Sequence, residues 1–276
     1  MWNLRGWLGR SIPQSTPAGG ELAAYAAVVD AVEGNTTFYA LPTVETARRW
    51  ASSVPEDFRF LFKLPKRITH ERRLRSIADD LQAFMVVTEP CRGVMGPTSI
   101  QLPASFGPED LPALGSFLRA APDELLWSVE VRHPDFFAGD DERRLNDLLF
   151  THGTERVILD SRAVFAGPCV TPAEHEAFAN KPRLPVRAVA IGQRPVVRFI
   201  GQTDPEANPE FWAPWVNTVA RWLADGRRPT VFIHTPDNVA ALDLARRFHD
   251  DVAAAAPGLQ ALPDPPPVRD QSLFDP

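Results

Sequence analysis

Seven short runs rich in β-branched and aromatic residues recur along this chain, most of them separated from the next by a stretch of helical period. The runs fall at residues 33–38, 58–63, 98–103, 126–132, 156–160, 196–200 and 230–234. Segments 21–32, 43–53, 72–89, 108–120, 142–150, 210–225 and 238–255 carry the helical spacing. A strand followed by a helix returns to its own sheet only by a crossover, so this alternation implies a parallel sheet with right-handed connections. An open doubly wound sheet is the rival. Against it, no glycine-rich phosphate turn follows any strand, and eight units suit a chain of 276 residues. The expected architecture is therefore α/β: a single (β/α)8 TIM-type barrel over residues 1–256. Its first strand is short or truncated within residues 1–4, and a flexible proline-rich tail occupies 257–276.

Proline cannot donate to a ladder, and several of the 28 prolines (Pro42, Pro65, Pro103, Pro134, Pro168 and Pro236) stand where strands should stop. Residues 161–195 break the alternation with a long excursion between the runs at 156–160 and 196–200. It carries a short helix at 172–180, and 186–191 is placed to pair as a hairpin with the next strand. Excursions of this length in a compact domain are commonly lids. The net charge of −6 gives no global attraction to nucleic acid or anionic membrane, so no direct nucleic-acid binding is expected, although a local basic site is compatible with it. No apolar run approaches the roughly 18 residues that span a bilayer. Cys91 and Cys169 form no CxxC and follow no secretory leader, which predicts two reduced thiols in a cytoplasmic protein.

Parallel barrels carry their sites at the carboxyl ends of the strands. Glu33 and Asn35 share one face of their run, Lys63 closes the next, and Gln101 lies near the end of the third. Glu130 and Arg132 share a face, Asp160 closes the run before the excursion, Arg198 lies within the following one, and His234 closes the last. Burying one such group costs several kcal/mol unless it is paired or solvated, so a ring of them points to a ligand site. The competing structural reading makes Glu130 with Arg132, or Asp160 with Lys63, internal ion pairs. After Lys63, the stretch 63–70 adds Lys66, Arg67, Thr69 and His70. Lys63 and His70 are assigned to the site, and Lys66 and Arg67 to the surface.

This pattern predicts an enzyme for a small polar or anionic molecule. Lys63, Arg132 and Arg198 would hold the negative group, and Glu130 or Asp160 would act as general base. Lys63, on a mostly apolar strand, is also a candidate Schiff-base nucleophile. The alternative is a divalent-metal-dependent hydrolase or isomerase with Glu130, Asp160 and His234 as ligands; no HxH, HExxH or Cys/His cluster accompanies them, and no nucleotide-cofactor motif is present. A third reading rests on the tail. Gln271, Leu273 and Phe274 resemble the short peptides that bacterial sliding clamps bind in an apolar groove, which would make the protein an adaptor near DNA.

Four stretches together resemble the YecE-like family, domain of unknown function 72. They are the V-E-G-N-T-T-F-Y-A-L-P run from Val32 to Pro42, the F-x-F-x-x-K-x-P-x-x-I-T-H run from Phe58 to His70, Gln101-Leu102-Pro103 with Ser105-Phe106, and Glu130-Val131-Arg132-His133-Pro134. They occur in family order and the resemblance covers roughly residues 20 to 250. It implies a TIM-type barrel and supplies no established reaction. The chain departs from the family pattern at three places: its opening is reduced to Met1-Trp2, Ile200 replaces a histidine after Arg198, and His234-Thr235 replaces a pair of asparagines.

Overall fold

The computed structural model of the protein describes residue 2 and residues 4–263. All seven expected strands are present: β1 (Ala31–Gly34), β2 (Arg59–Phe62), β3 (Thr98–Gln101), β4 (Trp127–Glu130), β5 (Glu155–Asp160), β6 (Val196–Ile200) and β7 (Thr230–His234). They do not close an eight-stranded barrel. β3 to β7 form one five-stranded parallel sheet in chain order, and β1 pairs with β2 in a separate two-stranded sheet. Among the described residues, β2 and its end meet the larger sheet through isolated bridges alone, Phe60 with Met95 just before β3 and Lys63 with Ser99 of β3. At the amino end the expected first strand is absent among the described residues. Residues 5–12 instead curl into a tight turn in which Leu8 N–H donates to Arg5 O and Gly9 N–H to Ile12 O. Gly9 has φ +74°, a region a side chain would strain, and the turn consumes backbone groups that a ladder would need. A cavity of about 320 Å³ lies between β1 and β7, with Val219, Leu223 and Phe248 among its apolar walls.

Among the described residues ten α-helices cover the sheets: α1 (Glu21–Ala26), α2 (Thr36–Tyr39), α3 (Val44–Ser52), α4 (Ala78–Thr88), α5 (Leu111–Ala120), α6 (Gly139–Thr151), α7 (Arg162–Ala166), α8 (Pro172–Asn180), α9 (Pro209–Ala224) and α10 (Ala241–Ala255). Thr43 caps α3 by accepting from Thr46 N–H at 3.1 Å, as its position before Val44-Glu45 predicts. Three expectations are corrected. The run 33–38 is not one strand, because Asn35 takes a helical conformation and α2 begins at Thr36. The helix expected from residue 72 starts at Ala78, since Arg73, Leu74 and Ser76 all have positive φ. Residues 186–191 form no strand; Arg187 is drawn to Glu142 and the Phe137 carbonyl instead.

Period-two alternation divides the side chains into two sets. Toward the helices, Val32, Phe60, Phe62, Ile100 and Val129 belong to one apolar core, and Ile158, Val197, Phe199 and Ile233 to a second, with Trp212, Trp215 and Trp222 of α9. Toward each other, the two sheets contribute Ala31, Leu61, Val157, Val196 and Phe232 to one small cluster. Two residues further along β1, β6 and β7, and two beyond Leu61 of β2, stand Glu33, Arg198, His234 and Lys63. An apolar plug thus lies beneath a charged layer. Gly34 lets this layer form at close quarters, because a Cβ there would sit 2.4 Å from the Phe62 ring.

Candidate ligand site

The charged layer is built around Arg198. Its Nη1 donates to Glu130 Oε2 of the same sheet at 2.7 Å, and across the space between the sheets its Nε lies 2.5 Å from Glu33 Oε1. Arg132 grips the other oxygen of Glu130, with Nε and Nη2 at 2.8 and 2.7 Å from Oε1. Lys63 Nζ donates to Gln101 Oε1 at 3.0 Å and lies 3.6 Å from Glu33 Oε2. Asn35 donates its side-chain amide to Glu33 Oε2 at 3.1 Å. The backbone under Lys63 is pinned by Thr37 of α2, whose hydroxyl lies 2.7 Å from Lys63 O and 3.1 Å from Gly34 O. Thr37, the second threonine after Glu33-Gly34-Asn35, therefore fastens the carboxyl ends of β1 and β2 together.

Burial shapes the electrostatics, and the charges answer it. Burial alone would raise the Glu130 carboxyl, but Arg198, then Arg132 and Lys63, hold it down at about 2. Glu33 follows the same logic, its burial outweighed by Arg198, Lys63 and His234, and stays well below the usual carboxylate range. Lys63 moves the other way: burial, opposed by Glu33 and reinforced by Arg198, lowers its ammonium to about 8. His234 is lowered to about 3, chiefly by burial and despite Glu33, so it is neutral. Its Nε2 is 3.6 Å from Glu33 Oε2, beyond hydrogen-bond reach. His70 packs edge-on against Phe38 and lies 2.9 Å from the Thr69 hydroxyl; burial, then Arg132 and Lys66, lower its pKa.

Glu33, Asn35, Lys63, Gln101, Glu130, Arg132, Arg198 and His234 are thus brought together, with His70 at the margin. Asp160 is not. It stands next to Leu159, which points toward the plug side, so Asp160 faces the helices. There its carboxylate accepts from the Arg162 backbone and guanidinium and, at 2.8 Å, from Trp215 Nε1. The expected Asp160–Lys63 pair does not form, and Glu130, Asp160 and His234 are not gathered around a common point. Among the described residues no group of three or more His, Cys, Asp or Glu side chains is arranged to hold a metal ion. Lys66 and Arg67 are exposed, as assigned. One further cation, whose charge is felt at the layer, escaped the sequence reading. Lys181, at the end of α8 in the excursion, interacts electrostatically with Arg198, Glu33, Arg132 and Glu130. No periodicity marks it, because it belongs to no strand.

A family model described as "Protein of unknown function DUF72" matches residues 1–269. The chain belongs to the DUF72 family. It is 41% identical over 254 residues to UPF0759 protein YecE of Escherichia coli K12, covering 92% of each chain, and a second Escherichia coli strain, O157:H7, has a YecE that matches equally. Among solved structures it is similar to a DUF72 family protein from Thermotoga maritima (TM-score 0.69, 20% identity, 91% of this chain and 95% of that one). Another, from Enterococcus faecalis, matches with TM-score 0.68 and 17% identity over 84% of this chain and 87% of that one. These likenesses support the shared DUF72 fold. Where this member carries Ile200, the side chain is buried with Leu159 and Val164, so an apolar contact occupies that position. Among the described residues no helix is long and apolar enough to cross a membrane, and Cys91 and Cys169 are both free. Gln271, Leu273 and Phe274 lie outside the described residues. The start of the tail lies on the body, with Leu259 packed into the second core and His249 Nε2 donating to Gln260 O at 2.8 Å.

Proposed function

We propose that the charged layer binds a small anionic molecule and that this DUF72 protein acts on it as an enzyme. The observation that carries this reading is a charge imbalance at the layer: buried Lys63 and Arg198, together with partly exposed Arg132, surround only two carboxylates, Glu33 and Glu130. The excess positive charge, carried by Arg132 at the open side of the layer, is free to meet an anion, and guanidinium groups suit carboxylate or phosphate oxygens. Glu33 and Glu130 serve to aim the cations. With its carboxyl near 2, Glu130 is a poor general base, and Asp160 faces away. Proton transfer falls to Lys63, whose amine near 8 changes charge close to neutral pH and is also suited to attack a carbonyl. Metal-dependent hydrolysis is the weaker reading, because both layer carboxylates are already engaged by guanidinium groups.

Isothermal titration of the full chain with inorganic phosphate and a panel of small carboxylates tests the proposal. Saturable one-to-one binding of at least one anion, weakening as pH rises above about 8, is the expected result. Absence of binding across the panel would remove the reading.

A further inference from the structure

β1 is an edge of the smaller sheet and β7 an edge of the larger one, and the cavity of about 320 Å³ occupies the slot between them. Its apolar walls come largely from the outer helices: Val219 and Leu223 of α9, Ala245, Phe248 and Val252 of α10, and Leu259 beyond it. A cavity of about 150 Å³ with such walls holds benzene, so this one has room for roughly ten to twelve carbon atoms. Small-molecule sites share this character, apolar for the most part with a few placed polar groups.

The polar groups of the slot stand at its two ends. Asp30, just before β1, and Asp57, just before β2, are exposed at one end. Arg59 beside them is turned to the backbone, its Nη1 donating to Glu56 O at 2.6 Å and to Phe58 O at 2.7 Å. That end is therefore acidic. Glu33 and His234 line the other end, where Arg198 Nε already meets Glu33 Oε1 at 2.5 Å. The group left over is His234. Its Nε2 is buried and has no hydrogen-bond partner among the described residues. The Glu33 carboxylate, 3.6 Å away, favours the proton on that nitrogen. A buried N–H without an acceptor carries its full desolvation penalty, which a ligand oxygen relieves.

We infer that the slot binds a compact, uncharged alcohol, whose hydrocarbon body packs between the strand edges and α9 and α10 and whose hydroxyl oxygen accepts from His234 Nε2. A carboxylate in that place would lie against Glu33 and enter past Asp30 and Asp57; an ammonium would lie against the His234 N–H. Dispersion contacts with the apolar walls supply most of the attraction, and the single hydrogen bond supplies the choice of functional group. This ligand is separate from the anion of the charged layer, so the two readings stand or fall independently.

Calorimetry on the full chain with phenethyl alcohol, ethylbenzene, phenylacetate and phenethylamine tests the inference, because the four share one hydrocarbon body. Binding in the slot is the part that Ala245→Phe, which fills it from α10, removes; binding of phenylacetate that survives this variant belongs to the charged layer. The expected result is saturable one-to-one binding of phenethyl alcohol in the slot, with ethylbenzene about fivefold weaker or more through loss of one neutral hydrogen bond. His234→Phe should bring the alcohol down to the affinity of ethylbenzene and change ethylbenzene less than about twofold. Equal affinity of alcohol and hydrocarbon in the wild type, or tighter slot binding of phenylacetate or phenethylamine, would overturn the inference. So would alcohol binding that Ala245→Phe leaves intact. Should Ala245→Phe fail to fold, the alcohol-to-hydrocarbon ratio in wild type and His234→Phe decides.

Discussion

Glu130 and Asp160 end neighbouring strands of one sheet and are both fully buried, yet their surroundings differ in kind. Asp160 faces the helices and is closed off: Arg162, two residues along, wraps both oxygens, and Trp215 of α9 donates the remaining bond. One cation meets one carboxylate, and the cation is half exposed to water. Glu130 faces the opposite sheet and shares Arg198 with Glu33, while Arg132, Lys63 and Lys181 add further positive charge. The first arrangement is complete without a ligand. The second has charge left over. Position along a strand does not distinguish them; the parity of the residue does, because it decides which side of the sheet the carboxylate meets.

The sharpest way to break this contrast is Arg198→Met. It strands Glu33 and Glu130 with weaker partners, and removing one member of a buried pair costs about 3–5 kcal/mol. Urea unfolding should show that loss together with loss of anion binding. Unchanged stability would mean that the layer is far wetter than its burial implies. Asp160→Asn comes next: it should cost about 1–3 kcal/mol, through the Arg162 and Trp215 hydrogen bonds, and leave anion titrations unaltered. An effect on anion affinity as large as that of Arg198→Met would erase the distinction between the two carboxylates.

A third test concerns pH. A histidine titrates near 6.5 when unfolded, and His234 is held at about 3 in the fold, so the folded state binds fewer protons between those values. Its contribution is complete above the unfolded pKa and is lost as pH falls toward 3, with a slope of up to about 1.4 kcal/mol per pH unit. His70 is lowered as well and acts in the same direction. His234→Gln should flatten most of the decline below about pH 6.5 that precedes carboxylate protonation. A variant whose stability falls as steeply as wild type would place the proton uptake elsewhere.

Much of this was legible before the structure. Strand positions followed from β-branched runs, and α8 and the Thr43 cap from local signals. The polar layer followed from charged residues at strand ends, where a parallel sheet gathers them. Closure was not legible: seven runs were read as eight units, but residues 5–12 satisfy their backbone groups in a local turn and β2 meets β3 only at isolated bridges. Asp160 was misplaced because its position at the strand end was read without its parity. Lys181 was missed because an irregular segment has no period.

The central claim is that the layer carries unmatched positive charge awaiting an anion, and Lys63 reports on it directly. A nuclear magnetic resonance titration of the lysine side chains, with Lys63 assigned by Lys63→Arg, would follow its ammonium with and without the best-binding anion. The account predicts an apparent pKa near 8 in the free protein, rising when the anion binds because a negative charge stabilises the protonated form. A Lys63 that titrates near the ordinary 10.4 and does not respond to any anion would contradict it.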